Sequence, residues 1–520
     1  MVIDPGNLCN HYLKTSTVNL TETNWQQQIE FPILGLLQLL PLLAMVLILL
    51  LRNQRLQVVV GFGFALAELI LAIKLYLNFD LSKTGFQFAE QFTLFSNFNY
   101  HAAVDGISVI FILLTAFLCA LTIIYGHLRN FAPREKYFAT LFAVESSLIA
   151  MFVTLNLLWF VFLAFIQIIP IAYLLWTWST SPEKDRALKR FLQFMATSIL
   201  LLALGTLMLG WQHIETVKQL WSFDLFDLVH IKSSGSFDSI IFFLLFYGLA
   251  IRVPLFPLHG WLPRIAEHGS IAVAPVLLLG LKVGIYGMVR FIFPIMPETV
   301  MHWHVYVVAF AVAGVFYAAL LAMLQDNLRR LLAYAVVSHT SILVIGVFSL
   351  SPLAIQGSIF LSINFGLAIA GLLFMTGLVF ARTNTTLLPQ LGGLFDRIPV
   401  ISATFFVAGL AIVGMPGTPG FDAAHLVLEA AMHHFGAVVT IAAAVGNVIA
   451  AGFLLWAFQR AFLSAPQHSR KKEIHPSSGL ENVLAAAILL LLVIAGFYSE
   501  PWLELIETSA QSIGKPFGRS

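Results

Sequence analysis

Long apolar runs, each bounded by polar or turn-forming residues, follow one another along most of the chain. At helical length they predict membrane spans over about 31–51, 57–78, 107–126, 137–155, 157–178, 191–211, 238–257, 271–296, 304–325, 331–350, 354–381, 401–437, 440–459 and 481–499. The expected fold is an all-α polytopic membrane protein of about 14 transmembrane helices. The runs are continuous rather than alternating, which excludes a transmembrane β-barrel. The stretch 401–437 is too long for one simple span, and Gly414-Met-Pro-Gly-Thr-Pro-Gly420 interrupts it. Pro416 and Gly417 should break the twelfth helix there, as Pro254 and Pro257 should break the seventh. The two breaks lie five spans apart, the pattern of two five-helix repeats over spans 4–8 and 9–13. An odd number of helices per repeat makes the repeats inverted. The predicted organisation is a tail with helices 1–3 over 1–136, repeats over 137–296 and 297–460, and a last helix with its tail over 461–520.

Composition adds the solvent. Of 520 residues, 59% are hydrophobic and 10% charged, against about 25% charged in soluble proteins, and mean hydropathy is +0.89. Water-soluble enzymes and disordered chains are excluded. A net charge of +2 without a basic patch points to no nucleic-acid partner. Cys9 and Cys119 are too far apart in sequence to suggest a disulfide framework or a metal cluster. The polar N-terminus lacks the basic start and early apolar run of a signal peptide. No phosphate-binding loop, dinucleotide fingerprint or iron–sulfur cysteine set occurs, so no cofactor and no redox site are expected. The partners left are the lipid bilayer, small ions such as protons, and other membrane subunits that would drive the chain.

The basic residues sort by loop. Eighteen of 28 fall in the loops that follow odd-numbered spans, six (Lys14, Lys83, Lys218, Lys232, Lys515 and Arg519) lie on the opposite side, and four lie within spans. The positive-inside rule then places the basic loops in the cytoplasm and both termini outside, in a cytoplasmic (inner) membrane.

Ionisable residues within spans are functional candidates because they are costly there. Arg252 precedes the seventh-span break, where transporters build ion sites, although an arginine reaching the membrane surface is the plainer reading. Lys282 lies near mid-span, from which such reaching is harder, and a buried lysine releases its proton readily. His339, in the tenth span, suits a proton relay or a hydrogen-bonded core position. His259 reads as a loop anchor and Asp105 as a helix cap. Among the acids, Glu68 is a further candidate, Glu145 lies mid-span, and Asp422 and Glu429 follow the twelfth-span break. His425 and Glu429 share a helical face. With His433 and His434 they form a conceivable metal cluster, but a helix end at the membrane face explains them more simply.

Several segments carry a resemblance: Phe256-Pro-Leu-His-Gly-Trp-Leu-Pro263, Leu281-Lys-Val-Gly-Ile-Tyr-Gly287, Asp326-Asn-Leu-Arg-Arg-Leu-Leu-Ala-Tyr334, Ser338-His339 and Gly414-Met-Pro-Gly-Thr418. Over about 100–460 the chain resembles the antiporter-like membrane subunits of respiratory complex I, of the chain M (mitochondrial chain 4) type. Mrp-type cation/proton antiporters and membrane subunits of inorganic-carbon uptake systems are similar. The resemblance implies a proton channel through the two repeats, with Arg252 at the place of the seventh-span lysine, Lys282 at that of the eighth-span lysine, and His339 at that of the tenth-span histidine.

It also exposes departures. By motif alignment Phe165 stands where the family has a fifth-span glutamate, with Gln167 the nearest polar group. Phe365 replaces the eleventh-span histidine and Ala424 the twelfth-span acid. Pro263-Arg-Ile-Ala replaces the usual Pro-Asp-Ala-His. Arginine does not deprotonate in proteins, so the first half-channel should not run the family's usual mechanism. Glu145 is a candidate substitute for the fifth-span carboxylate, and Asp422 or Glu429 for the twelfth-span one. The resulting expectation is a proton-translocating or proton-coupled subunit of a complex I-like NADH:quinone oxidoreductase assembly, with an altered channel. The alternatives are carbon-uptake or Mrp-type exchange, or a degenerate membrane scaffold.

Overall fold

The computed structural model describes residues 20–95, 98–217, 221–231, 235–270, 282–465 and 475–517. Among these, eleven helices are long and apolar enough to cross a membrane. The chain is an all-α polytopic membrane protein. The helices, in order, are α1 (Ile33–Leu50), α2 (Gln54–Leu77), α3 (Gly106–Leu128), α4 (Arg134–Val153), α5 (Leu157–Ile166), α6 (Ile168–Thr177), α7 (Lys184–Val217), the short α8 (Leu225–Leu228), α9 (Ser236–Arg252) and α10 (Leu262–His268). They continue as α11 (Pro297–Met323), α12 (Leu328–Val347), α13 (Pro352–Thr383), α14 (Pro399–Val413), α15 (Pro419–Phe435), α16 (Ala437–Phe458), α17 (Gly479–Phe497) and α18 (Glu500–Gly514). The first part of the span expected over 271–296 lies outside the described residues. From Lys282 the chain is helical to 295, with a π-helical turn at Met288–Ile292.

The predicted breaks occur. α9 stops at Arg252, and the expected long twelfth span is two helices, α14 and α15, separated at Gly414–Thr418. Gly414 caps α14 with φ +75°, a left-handed conformation that glycine adopts without a side-chain clash. A third interruption divides the fifth span at Gln167. Pro170, three residues on, lacks the N–H that would bond the Ile166 carbonyl.

Packing follows the distribution of apolar surface. α12 and α13 are buried on nearly every side, and α3 and α4 on most. α13 touches α3, α12, α14, α15, α17 and α18, so it forms the axis of the second half. α1, α2, α7, α16 and α17 instead turn leucine, valine and isoleucine outward, as lipid or neighbouring subunits require.

The segment 79–106, between the second and third expected spans, supplies two strands of a small sheet at one end of the bundle. β1 (Glu22–Asn24) runs parallel to β2 (Phe86–Phe95), and β2 pairs antiparallel with β3 (Phe98–Val104). The sheet has a local task. α1 begins after Pro32 without a side-chain cap, and Glu90 on β2 accepts from the Leu34 and Gly35 amides at 2.8 and 2.9 Å. Burial raises the pKa of the Glu90 carboxyl, while those two amides pull it back. Other helix ends close by the expected chemistry: Asp105 accepts from Ser108 N at the start of α3, and Ser478 and Glu481 form a capping box on α17.

Beyond the last expected span, α18 lies on α3 and α13 with Leu505, Ile506 and Ile513 buried and Glu504 and Glu507 outward. The approach to α3 is close. A Cβ on Gly106 would sit 1.6 Å from the Leu505 carbonyl oxygen, and Gly106 N donates to Ser509 Oγ at 3.1 Å.

Candidate functional site

The first site lies at the end of α9. Arg252 is the last residue of that helix, where a cation complements the negative end of the helix dipole. Its side chain is buried. Nη2 donates to the Ala164 carbonyl at 2.7 Å and Nη1 to Gln167 Oε1 at 3.4 Å. Both acceptors belong to the interrupted fifth span. No carboxylate pairs with Arg252 among the described residues. Trp261 Nε1 donates to the Ile251 carbonyl at 3.0 Å, taking one of the acceptors exposed by the helix end. Pro254 and Pro257 lie in the turns that carry the chain on to α10.

The motif alignment put Phe165 opposite Arg252. In the structure Phe165 is half exposed on the outside of the bundle, and Gln167 faces the arginine. A helix turns about 100° per residue, so a shift of two positions reverses which side chain points inward. Glu145 does not reach Arg252 either. It lies buried on α4 against Glu68 of α2.

The second site gathers around the α14–α15 break. The Lys282 ammonium lies 4.5 Å from the centroid of the Phe365 ring, a cation–π arrangement. The other neighbour of that ring is His339, stacked with a centroid separation of 5.3 Å and an interplanar angle of 22°. All three side chains are buried. His339 Nδ1 faces the Ala335 carbonyl at 3.1 Å, and Nε2 faces Asn447 Oδ1 at 3.2 Å. Asn447 Nδ2 donates to the Val413 carbonyl at 2.6 Å, which fixes the amide orientation. Both histidine nitrogens therefore face acceptors. A neutral ring satisfies one of them, and an added proton satisfies the second.

The break itself is held by amide side chains. Asn364 Nδ2 donates to the Ala411 carbonyl at 2.9 Å and Asn447 to that of Val413, so two carbonyls at the end of α14 gain donors. Pro416 and Gly417 form the connecting turn, with Gly417 at φ +84°. Ala424 packs beside Gly414.

The remaining candidates are placed elsewhere. Asp422 accepts from Ser499 Oγ at 2.5 Å, and Glu429 and His425 lie on the outer side of α15, 3.9 Å apart. None of these three contacts Lys282 or His339. Among the described residues, no group of three or more His, Cys, Asp or Glu could hold a metal ion; His434 meets His304 at 3.0 Å. His259 is buried among Phe256, Tyr317 and Tyr334, an anchoring position. Asp105 does more than cap α3, because it also pairs with buried Arg290 at 2.5 Å. Sequence reasoning missed Asn364, Asn447 and the Asp105–Arg290 pair. The one available signal was Arg290, an unexplained charge inside a span.

Residues 154–450 match the family described as NADH:quinone oxidoreductase/Mrp antiporter, transmembrane. This chain belongs to that family. The match spans both broken helices and every residue of the two sites. A relative, NADH-ubiquinone oxidoreductase chain 4 of Marchantia polymorpha, is 28% identical over 91% of this chain and 95% of its own. A chain of the respiratory complex I of Thermus thermophilus superposes with TM-score 0.84 at 25% identity, covering 94% of this chain and 100% of that one. A chain of the Mrp complex of Dietzia sp. gives the same TM-score at 20% identity, over 93% and 98%, a likeness of fold. Within the family, then, this is an antiporter-like membrane subunit.

Proposed function

We propose that the chain is a proton-translocating subunit of a complex I-like NADH:quinone oxidoreductase assembly in an energy-coupling membrane, with its basic loops in the cytoplasm. The observation that carries this reading is the row of buried Lys282, Phe365 and His339 with partly buried Asn447, ending at the α14–α15 break. It contains two groups able to exchange protons, and its far end is a helix break of the kind that lines ion paths. Phe365 carries no proton. It separates the two groups by one ring, so a direct Lys282–His339 hydrogen bond is replaced by charge coupling through the ring. Proton passage then needs Phe365 to move or water to enter beside it.

The first half works differently in this reading. Arg252 is a permanent charge held by neutral oxygens, so it sets a fixed potential and does not take part in proton exchange. That same feature favours a second reading, in which the chain serves gradient-driven inorganic-carbon uptake or Mrp-type cation exchange. The whole assembly, reconstituted in liposomes with a pH-sensitive dye inside, distinguishes them. Proton movement that follows electron input and disappears in Lys282→Met is the expected result. Movement that needs bicarbonate or sodium instead favours the second reading, and unchanged movement in Lys282→Met removes the row from the path.

A further inference from the structure

Glu68 and Glu145 are the least compensated charges in the described chain. Their residues are 0% and 1% exposed, and none of the four carboxyl oxygens has a hydrogen-bond partner. Two helices bring them together. α2 and α4 run in the same direction, each starting at the end of the bundle opposite the sheet. A Cβ on Gly61 of α2 would touch the Phe138 ring of α4 at 3.0 Å. Two helical turns further along each helix, seven residues in both cases, stand Glu68 and Glu145. The two carboxyls interact electrostatically across that seam, and both act on the buried, free Cys119 of α3. The buried Cys119 thiol thus stands near both carboxyls, on the third side of the cluster.

The surrounding helices supply no counter-charge. α1 and α5 contain no ionisable side chain. On α6 the ionisable residue is Tyr173, which meets Trp178 edge to face. On α3 the others are Tyr125 and His127, two turns beyond Cys119. Lys74, on α2, is engaged with the Phe31 ring at 4.6 Å. Two carboxylates in such a place cannot both stay ionised, since like charges and burial both oppose it. One proton between them removes the repulsion and provides the missing hydrogen bond, O–H to O⁻.

We infer that Glu68 and Glu145 form a proton-binding carboxyl pair, separate from the Arg252 and Lys282 sites, that holds at least one exchangeable proton at neutral pH. α2 is among the least enclosed helices of the bundle, so this pair lies near a flank where lipid or a neighbouring subunit packs. The inference does not depend on transport through Lys282, because its test reads protonation directly.

Infrared spectroscopy of the wild-type protein in its assembly provides that test. A protonated-carboxyl C=O band should be present at neutral pH in sodium-free buffer and shift in heavy water. Glu68→Gln and Glu145→Gln should each displace it, and the double variant should lose it. Dicyclohexylcarbodiimide, which reacts with protonated carboxyls in apolar surroundings, should modify Glu68 or Glu145, located by peptide mass mapping. A wild-type band unaltered by either substitution, with no adduct on either residue, overturns the inference. So does a pair that is fully ionised and takes up sodium, seen as a sodium-dependent carboxylate band with no protonated one. The wild-type spectrum and labelling decide the matter even where a variant fails to assemble.

Discussion

At the seventh-span break, a permanent cation sits among neutral oxygens, with the Ala164 carbonyl and the Gln167 amide around Arg252. At the twelfth-span break, two groups able to change charge flank an aromatic ring, with Lys282 on one side of Phe365 and His339 on the other. Both breaks solve the same backbone problem in the same way. A side-chain N–H is aimed at the carbonyls where the helix stops: Trp261 at Ile251, Asn364 at Ala411 and Asn447 at Val413. The difference lies in what is placed beside them. A helix break can thus be kept as architecture while its chemistry is exchanged, so a break alone does not identify a working ion path.

The contrast can be tested from its strongest arm downward. Lys282→Met should reduce proton movement on the order of 100-fold, the scale of losing a positioned acid–base group. Lys282→Arg should do nearly as much harm, because charge without exchange is not enough. If Lys282→Arg works well, the two halves differ less than argued.

Arg252→Met should act mainly on stability. It leaves Gln167 without a donor in an apolar site, at about 1.5–3 kcal/mol for a lost hydrogen bond to a charged group. A fall in melting temperature with much of the proton movement retained is the expected pattern, and a loss of movement as large as that of Lys282→Met would merge the two sites.

Phe365→Leu removes the ring that touches both groups and should cost roughly 1–2 kcal/mol in stability. Phe365→His should instead change the pH profile of proton movement, since it inserts a third titrating group into the row.

Asn447→Ala should lower proton movement about fivefold, the worth of about 1 kcal/mol, through loss of the acceptor at His339 Nε2.

The smallest effect belongs to a control outside both sites. His101 on β3 lies 2.6 Å from Asp224 and 2.8 Å from Glu22. Burial pushes its pKa down, but the two carboxylates outweigh burial, and the net shift is upward. A raised folded pKa means this stabilisation is complete below the unfolded value of about 6.5 and disappears as pH rises through the folded value. Thermal stability measured across that window should fall with rising pH in the wild type and flatten in His101→Gln, with both transport sites unaffected.

The helical runs, both proline-bearing breaks and the in-span cations were legible in the sequence, because each follows from local chemistry along one helix. The facing of side chains between helices was not. Motif alignment chose Phe165, yet the interrupted fifth span turns Gln167 inward. Glu145 was visible as a buried acid, but its partner was set by the register of α2 against α4. The sheet was hard to read because only Phe86-Gln-Phe88 alternates as a strand does before Ala89-Glu-Gln91 interrupts the pattern. Asn364 and Asn447 were illegible for another reason. An amide inside a span looks ordinary until the carbonyl it serves is known.

The contact between Gly106 and α18 bears on how the molecule is made. Gly106 N meets Ser509 Oγ across 403 residues of sequence, so α3 waits through nearly all of translation for the element that covers its first turn. Closure of this end is therefore a late step, at which an insertion machinery or a neighbouring subunit can still reach α3 before α18 takes its place.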